Sequence, residues 1–595
     1  MRECGIGSKT KKLLLTVSLT AIVLLCFAAM FYYQEVNTLP REKDREFSGK
    51  GTDIRLDDLT ELQAESLYKL CKIWGYAKYR HPSVIDGTLH WDYELLRVMP
   101  MVLSAGDGEE TNQILAEWLN GFPFEIPAVT QETQMYLSVQ EKNGYGGVNT
   151  DWISDSGLFG KEVCQYLSRL SQVYISDRKH AFASFTSDDF EGGKYVTFKH
   201  EMNIPFQPED DGVKLLSLFR FWNIYEYYSP NVRITKMDWD QALREAIPNI
   251  VQTENKRDYV LAIAQAAAET GDGHLTVADK GLTLFNYYGR YYLPCTFEQA
   301  EGEIVVSCTD GSGELKAGDI IRQIDGISIE ERIRTLSRYT ALPEEDKFTN
   351  QLQYSLLKSD KERADVKLVR DGKEISLSVR TKDAPAQFQN PYKNGLLKDN
   401  IGYIDPSSLK EGELEKLMET FKDTDGIIVD LRYYPSVNLI YLLAEYVTPE
   451  PTVFAWAGFA NPALPGSFWL MKEELKSGAG TLAETGGYKS YTGRLILLMD
   501  QRTQSHGEFT VMSLRQAPGA VVVGSPSVGA DGNVTAFSLP GDISMNITGL
   551  GVYTPEGGQT QRVGLQPDVE CLKTIEGIRA GRDELIEKAM ELIEE

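Results

Sequence analysis

Four patterns of apolar and polar positions follow one another along this chain. Leu13 to Tyr33, LLLTVSLTAIVLLCFAAMFYY, is an apolar run with no charged residue, about long enough to cross a bilayer as one helix. Between about residues 60 and 270, apolar residues recur at helical spacing around Pro-containing turns. From 287 to 383 the pattern changes to short strands, among them Glu303-Ile-Val-Val-Ser307 and Ala364-Asp-Val-Lys-Leu-Val-Arg370; Asp371-Gly372 after the second is a hairpin signal. From Leu396 onward short apolar runs (Ile401-Gly-Tyr-Ile404, Gly426-Ile-Ile-Val-Asp-Leu431, Leu495-Ile-Leu-Leu-Met499, Ala520-Val-Val-Val-Gly524) alternate with segments of helical character at 411–422 and 508–516. Continuous apolar strands separated by helices predict a largely parallel sheet covered on both faces. Such a sheet carries its reactive groups beyond the carboxyl ends of its strands.

The helical region contains a repeat. Trp74, Pro82, Trp91, Asp92 and Pro100 recur as Trp222, Pro230, Trp239, Asp240 and Pro248, each 148 positions later. We read two copies of a small helical unit with the Trp residues as core anchors. Only the second copy continues into the helical run from Leu261 and then the turn Gly271-Asp272-Gly273-His274. Strand-like Lys194-Tyr-Val-Thr-Phe-Lys199 makes residues 130–210 a mixed segment. The expected architecture is multidomain α/β: a cytoplasmic stub and anchor at 1–35, the first helical repeat with its α+β segment at 50–210, the second at 211–286, a β-module at 287–383 and an α/β domain at 395–595.

Composition narrows the functions. The 61 Lys+Arg against 86 Asp+Glu give a net charge of -25, spread along the chain, which disfavours nucleic acid as a partner and an anionic lipid surface as an attachment site. Membrane attachment is therefore expected through Leu13–Tyr33 alone. Arg2, Lys9, Lys11 and Lys12 precede that run, so the positive-inside rule leaves the N-terminus cytoplasmic and the rest of the chain outside. A cleaved signal peptide is the alternative, and no A-x-A site supports it. The seven cysteines are scattered, with no CxxC, and make neither a disulfide framework nor a zinc site; Cys295 and Cys308 flank a probable hairpin and could pair in an oxidising exterior, but read first as two buried free thiols. No cofactor is expected.

Ser505, in Asp500-Gln-Arg-Thr-Gln-Ser-His-Gly-Glu-Phe509, follows an apolar strand at the start of a helix, where free N–H groups can stabilise an oxyanion beside a hydroxyl. A Ser there is usually an N-cap, and Glu508 three residues on fits a capping box. This stretch resembles the active-site segment of tail-specific, or carboxyl-terminal processing, serine proteases and their tricorn-like branch. Asp425-Gly-Ile-Ile-Val-Asp-Leu-Arg432, Ala520-Val-Val-Val-Gly524, and Gly551-Val-Tyr-Thr-Pro-Glu-Gly-Gly558 with Val563-Gly-Leu-Gln-Pro-Asp568 resemble further blocks of that family in the same order. Leu315-Lys-Ala-Gly-Asp-Ile-Ile-Arg-Gln-Ile-Asp-Gly326 resembles the core of the PDZ domains of processing proteases, which capture extended peptides by strand addition.

The resemblance implies a crotonase/Clp-like catalytic domain that cleaves unfolded or C-terminal segments of proteins through an acyl-enzyme. It implies Ser505 as nucleophile, His274 as base, and the amides of His506 and of the Ser436-Val437 turn as oxyanion donors. Ala530 stands where the Ser-Lys branch has its lysine, and Pro435-Ser436-Val437 replaces Pro-Gly-Gly. Gln561 falls where an acidic residue orients the base; it and Glu508 are the candidate orienting groups. His506, adjacent to Ser505, is a second and weaker candidate base, because neighbouring side chains diverge. The departures at Ser436, Val437 and Gln561 leave an alternative open, a catalytically degenerate scaffold that binds peptides at the surface.

Overall fold

The computed structural model describes residues 38–595 apart from 187–194, 202–203, 345–346, 348–349, 388–389, 399, 411 and 476–490. Leu13–Tyr33 lies outside the described residues, among which no helix is long and apolar enough to cross a membrane. The chain is a multidomain α/β protein.

Each copy of the repeat is a pair of helices, Glu61–Lys78 with Trp91–Leu103 and Asp211–Tyr228 with Trp239–Val251. Their starts follow from local sequence: Thr60 and Asp210 accept from the N–H groups of Gln63 and Val213. Within each copy the two Trp residues exchange hydrogen bonds. The Trp74 indole donates to Trp91 O at 3.0 Å and the Trp91 indole to Trp74 O at 2.9 Å; Trp222 and Trp239 repeat the exchange at 2.8 and 3.3 Å. Buried indoles are thereby satisfied as they anchor the core.

The two copies pack about a pseudo-two-fold axis, shown by equivalent residues meeting each other. Gly75 faces its equivalent Asn223, and a Cβ on Gly75 would lie 1.7 Å from Asn223 Oδ1. The rings of Tyr79 and its equivalent Tyr227 are 5.7 Å apart. Ion pairs cross the axis reciprocally: Lys72 with Asp240 at 2.6 Å, and the equivalent Arg220 with Asp92. Residues 130–210 are mixed as expected, with helices Gln131–Asn143 and Lys161–Leu170 and a ribbon of Ser184–Phe185 and Val196–Thr197.

Residues 287–383 enclose their own apolar core, including Ile304, Val306, Ile321, Leu336, Leu352 and Val366. The sheet runs Lys373–Arg380, Arg363–Arg370, Ile320–Ile324, Glu303–Thr309, Cys295–Ala300, with helices Ile329–Ser337 and Asn350–Leu356. Asp371 and Gly372, both at positive φ, make the tight hairpin that their sequence predicts. Cys295 is buried and free, but Cys308 is exposed: it lies near the open end of its strand, so the expectation of two buried thiols holds only for Cys295.

The C-terminal sheet is parallel apart from its first pair, with strands Gly395–Leu396, Ile401–Ile404, Gly426–Asp430, Arg494–Met499, Val521–Gly524 and Val569–Glu570 lying in chain order. Strand alternation explains the continuous apolar runs. Ile427, Val429, Leu495 and Leu497 pack on Met418, Leu443, Val511 and Leu514 of one helical layer, whereas Ile428, Ile496 and Leu498 pack on Leu585, Ala589 and Ile593 of the C-terminal helix Glu584–Glu594. A separate three-stranded sheet pairs Thr276–Asp279 with Ile543–Thr548, which also pairs with Val534–Leu539. It ties the end of the second helical copy to the loops of the catalytic domain.

Candidate active site

Ser505 lies past the carboxyl end of the strand Arg494–Met499, at the N-cap of helix His506–Leu514. Its backbone is at φ 51, ψ -120, a region that L-residues seldom adopt and that stores strain where function needs it. Surrounding contacts hold it there. Ser505 N donates to Ala530 O at 2.9 Å and to Glu508 Oε2 at 3.1 Å. Ser505 Oγ leans on Gly532 O at 3.4 Å, a long contact that leaves the hydroxyl easily redirected.

Glu508 does more than cap a helix. Fully buried, it accepts from Ser505 N, Gly529 N at 2.9 Å, Ala530 N at 3.0 Å and the Ser527 hydroxyl, clamping the 527–530 loop to the start of the helix that follows Ser505. It does not touch His274, so it orients the loop rather than the base. Burial raises its pKa against the pull of these donors. Asp531 beside it is pushed up further, by burial first and by the Glu508 charge second, and its Oδ2 is buried without a partner. Both shifts run against placing two adjacent buried charges in this loop.

The loop 530–532 joins Ser505 to His274. A Cβ added to Gly273 would lie 2.6 Å from Ala530 Cβ, so the space a lysine at 530 would need is filled by the turn that carries the histidine. The pairing of Asn546 with Thr276, extended by one step on each strand face, sets His274 opposite Thr548. Accordingly His274 Nδ1 lies 3.1 Å from Thr548 Oγ1, while Nε2 is closed off from solvent and has no partner among the described residues. Burial lowers the His274 pKa, with the Asp272 charge acting in the opposite direction.

Gln561 does not contact the histidine, which corrects its expected role. Its Nε2 donates to Asp272 Oδ1 at 3.0 Å, and that carboxylate in turn accepts from Thr548 Oγ1 and N and from His274 N. Gln561 therefore acts on His274 at one remove. Asp272 and Thr548 are the residues that sequence reasoning missed as participants. Asp272 stands in the same Gly271–His274 turn as the histidine, but Thr548 is 274 positions from its partner and is revealed only by strand register.

The oxyanion assignments divide. Residues 431–437 border the helix start, where a Cβ on Gly507 would come 3.8 Å from Leu431 O and 3.9 Å from Pro435. The N–H groups of His506 and Val437 make no hydrogen bond among the described residues and are available as donors. Ser436 is not: its N–H donates to Pro406 O at 3.1 Å and its hydroxyl to Pro406 O and Leu409 O, so it braces the loop. The His506 ring packs edge-on to Tyr434 at 6.2 Å, and burial lowers its pKa. Among the described residues no group of His, Cys, Asp and Glu could hold a metal ion.

A strained serine at a helix start, a histidine with one buried free nitrogen across a shared loop, and idle amides nearby form the constellation of a serine-type hydrolase. Residues 400–571 match the model of peptidase family S41, so the chain carries a domain of that family and is a serine-type peptidase. Among solved structures, a mutant of CPAF is 15% identical with TM-score 0.51, covering 64% of this chain and 98% of that one. Mature CPAF is 15% identical with TM-score 0.50, covering 64% and 96%. At this identity the two show a shared fold. None of the curated proteins matches the chain.

Proposed function

We propose that this chain is a membrane-anchored, extracytoplasmic serine endopeptidase that cleaves unfolded or C-terminal segments of proteins, with Ser505 as nucleophile and His274 as base. The observation that carries this reading is that the strained Ser505 and the turn bearing His274, whose Nε2 is unpartnered, both pack against the 530–532 loop. Ser505 Oγ attacks the scissile carbonyl as its proton passes to His274 Nε2; the oxyanion accepts from His506 N and Val437 N. The imidazolium then gives that proton to the leaving amine, and water, deprotonated by the same nitrogen, releases the acyl group.

Residues 287–383 fit a PDZ-like role in feeding this site. Strand Cys295–Ala300 is the edge of its sheet, and a cavity of about 380 Å3 runs from Cys295, Phe297 and Tyr354 to Tyr434 and Gln504, the neighbour of the nucleophile. An extended peptide added to that edge would be led toward Ser505. Anchoring by Leu13–Tyr33 rests on the apolar run and its flanking charges.

A fluorophosphonate probe tests both parts. The purified chain should be labelled at Ser505, and a membrane-impermeant form of the probe should label it on intact cells. A folded chain that resists labelling would support the degenerate scaffold, and labelling only after lysis would remove the extracytoplasmic placement. The pH profile is a further check. Because burial outweighs the Asp272 charge, His274 stays neutral, and thus able to accept a proton, below the 6.5 of an ordinary histidine. The acid limb of kcat/KM should therefore have its midpoint below pH 6.5; a midpoint above it contradicts the assignment.

A further inference from the structure

We propose that Thr548 is a positioning residue that fixes the tautomer of His274 and links it to the Asp272 carboxylate, a His–Thr–Asp relay in place of a direct His–carboxylate contact. The inference rests on the reading of His274 as the base for Ser505. It follows from counting protons on one hydroxyl. A threonine hydroxyl has a single proton to donate and lone pairs with which to accept. Thr548 Oγ1 stands 2.6 Å from Asp272 Oδ1 and 3.1 Å from His274 Nδ1.

Asp272 receives N–H donors on both oxygens: Gln561 Nε2 at 3.0 Å and His274 N at 3.0 Å on Oδ1, and Thr548 N at 2.8 Å on Oδ2. It is therefore an acceptor throughout, and the Thr548 proton must point to it. The contact with His274 then has only one possible sense: Nδ1–H donates and Thr548 Oγ1 accepts. Neutral His274 thus carries its proton on Nδ1, and the lone pair sits on Nε2, the nitrogen left buried and unpartnered.

The relay also has work to do when the charge appears. Once Nε2 takes the Ser505 proton, the imidazolium holds protons on both nitrogens, and the Nδ1–H bond is strengthened by a hydroxyl already polarised toward a carboxylate. No proton moves along the relay, since Thr548 keeps its own and Asp272 stays ionised. Gln561 completes the arrangement by holding Asp272. An amide at 561 is sufficient there because the negative charge resides on Asp272.

The test uses the full chain with Thr548→Val, Thr548→Ser and 15N-labelled histidine. In the wild type, the His274 nitrogen shifts at neutral pH should show Nδ1 protonated and Nε2 bare; the opposite tautomer would overturn the proposal without any variant. Thr548→Val should lower kcat roughly a hundredfold with little change in KM, shift the acid limb to lower pH by removing the acceptor that favours imidazolium, and mix the tautomers. Thr548→Ser should restore rate, limb and tautomer. A folded Thr548→Val chain with wild-type kcat, pH limb and tautomer would sink the relay, even though probe labelling at Ser505 continued to support the peptidase. If wild-type chain is not labelled at Ser505, it is the underlying assignment of nucleophile and base that fails; the tautomer measurement still decides whether Thr548 accepts from Nδ1.

Discussion

Replacing Ser505 by alanine is expected to lower peptidase turnover by roughly a millionfold, and replacing His274 by alanine to do nearly the same, because nucleophile and base act as one unit. Ala530 offers no amine to substitute for the histidine. His506→Ala should retain activity within about tenfold, since the oxyanion donor at that position is a backbone N–H that alanine keeps, and the ring packs on Tyr434. Rates on an unfolded protein substrate measure all three, and a folded His274→Ala chain with near-normal turnover would refute the base. The strain at Ser505 adds a second readout. At φ 51, ψ -120 alanine inherits the unfavourable backbone, whereas glycine relieves it at the cost of a looser unfolded chain. Ser505→Gly should therefore be as inactive as Ser505→Ala but more stable than it by about 1 kcal/mol in denaturant titrations.

Much of this site is legible in the sequence, and the reasons each part is or is not are specific. The parallel sheet can be read because Ile427 and Ile428, or Leu497 and Leu498, must both be apolar when both faces are covered. Ser505 can be located because strand, turn and helix follow one another locally. Even Asp272 lies in view beside His274. Thr548 cannot be found, because nothing in its own neighbourhood marks it; its role comes from antiparallel register with a strand that ends 269 positions earlier. The Ser436 amide departs from expectation for a related reason: whether a loop N–H is free depends on where Pro406 falls, and sequence does not record that contact. The repeat shows itself through its Trp and Pro residues. Its charge pattern is present too, with a basic residue at 72 and 220 and aspartate at 92 and 240, yet only the packed axis shows that each base pairs with the other copy's acid.

That reciprocity is broken by burial, and the break predicts a large difference between two equivalent substitutions. Asp92 is wholly buried and pairs with Lys78 at 2.9 Å and with Arg220, which also meet Glu201. Burial alone would raise the Asp92 pKa, but Arg220 and Lys78 more than offset it and hold the carboxyl well below its usual range. Asp92→Ala leaves two buried cations with one carboxylate between them and should cost about 3–5 kcal/mol. Its equivalent Asp240 has a side chain 41% exposed, although the Lys72 it pairs with is itself buried. Close by, burial raises the Glu226 pKa to about 7; Lys72 lowers it and Asp240 raises it. Removing the Asp240 charge favours ionisation of Glu226, which then supplies Lys72 with a counterion. Asp240→Ala should consequently cost no more than about 1 kcal/mol, and the double change Asp240→Ala with Glu226→Gln more than the sum of its parts. Urea titration followed by tryptophan fluorescence suits the measurement, since Trp74, Trp91, Trp222 and Trp239 all lie in this unit. Equal losses at 92 and 240 would show that the cross-axis pairs contribute alike, and that Glu226 does not stand in for Asp240.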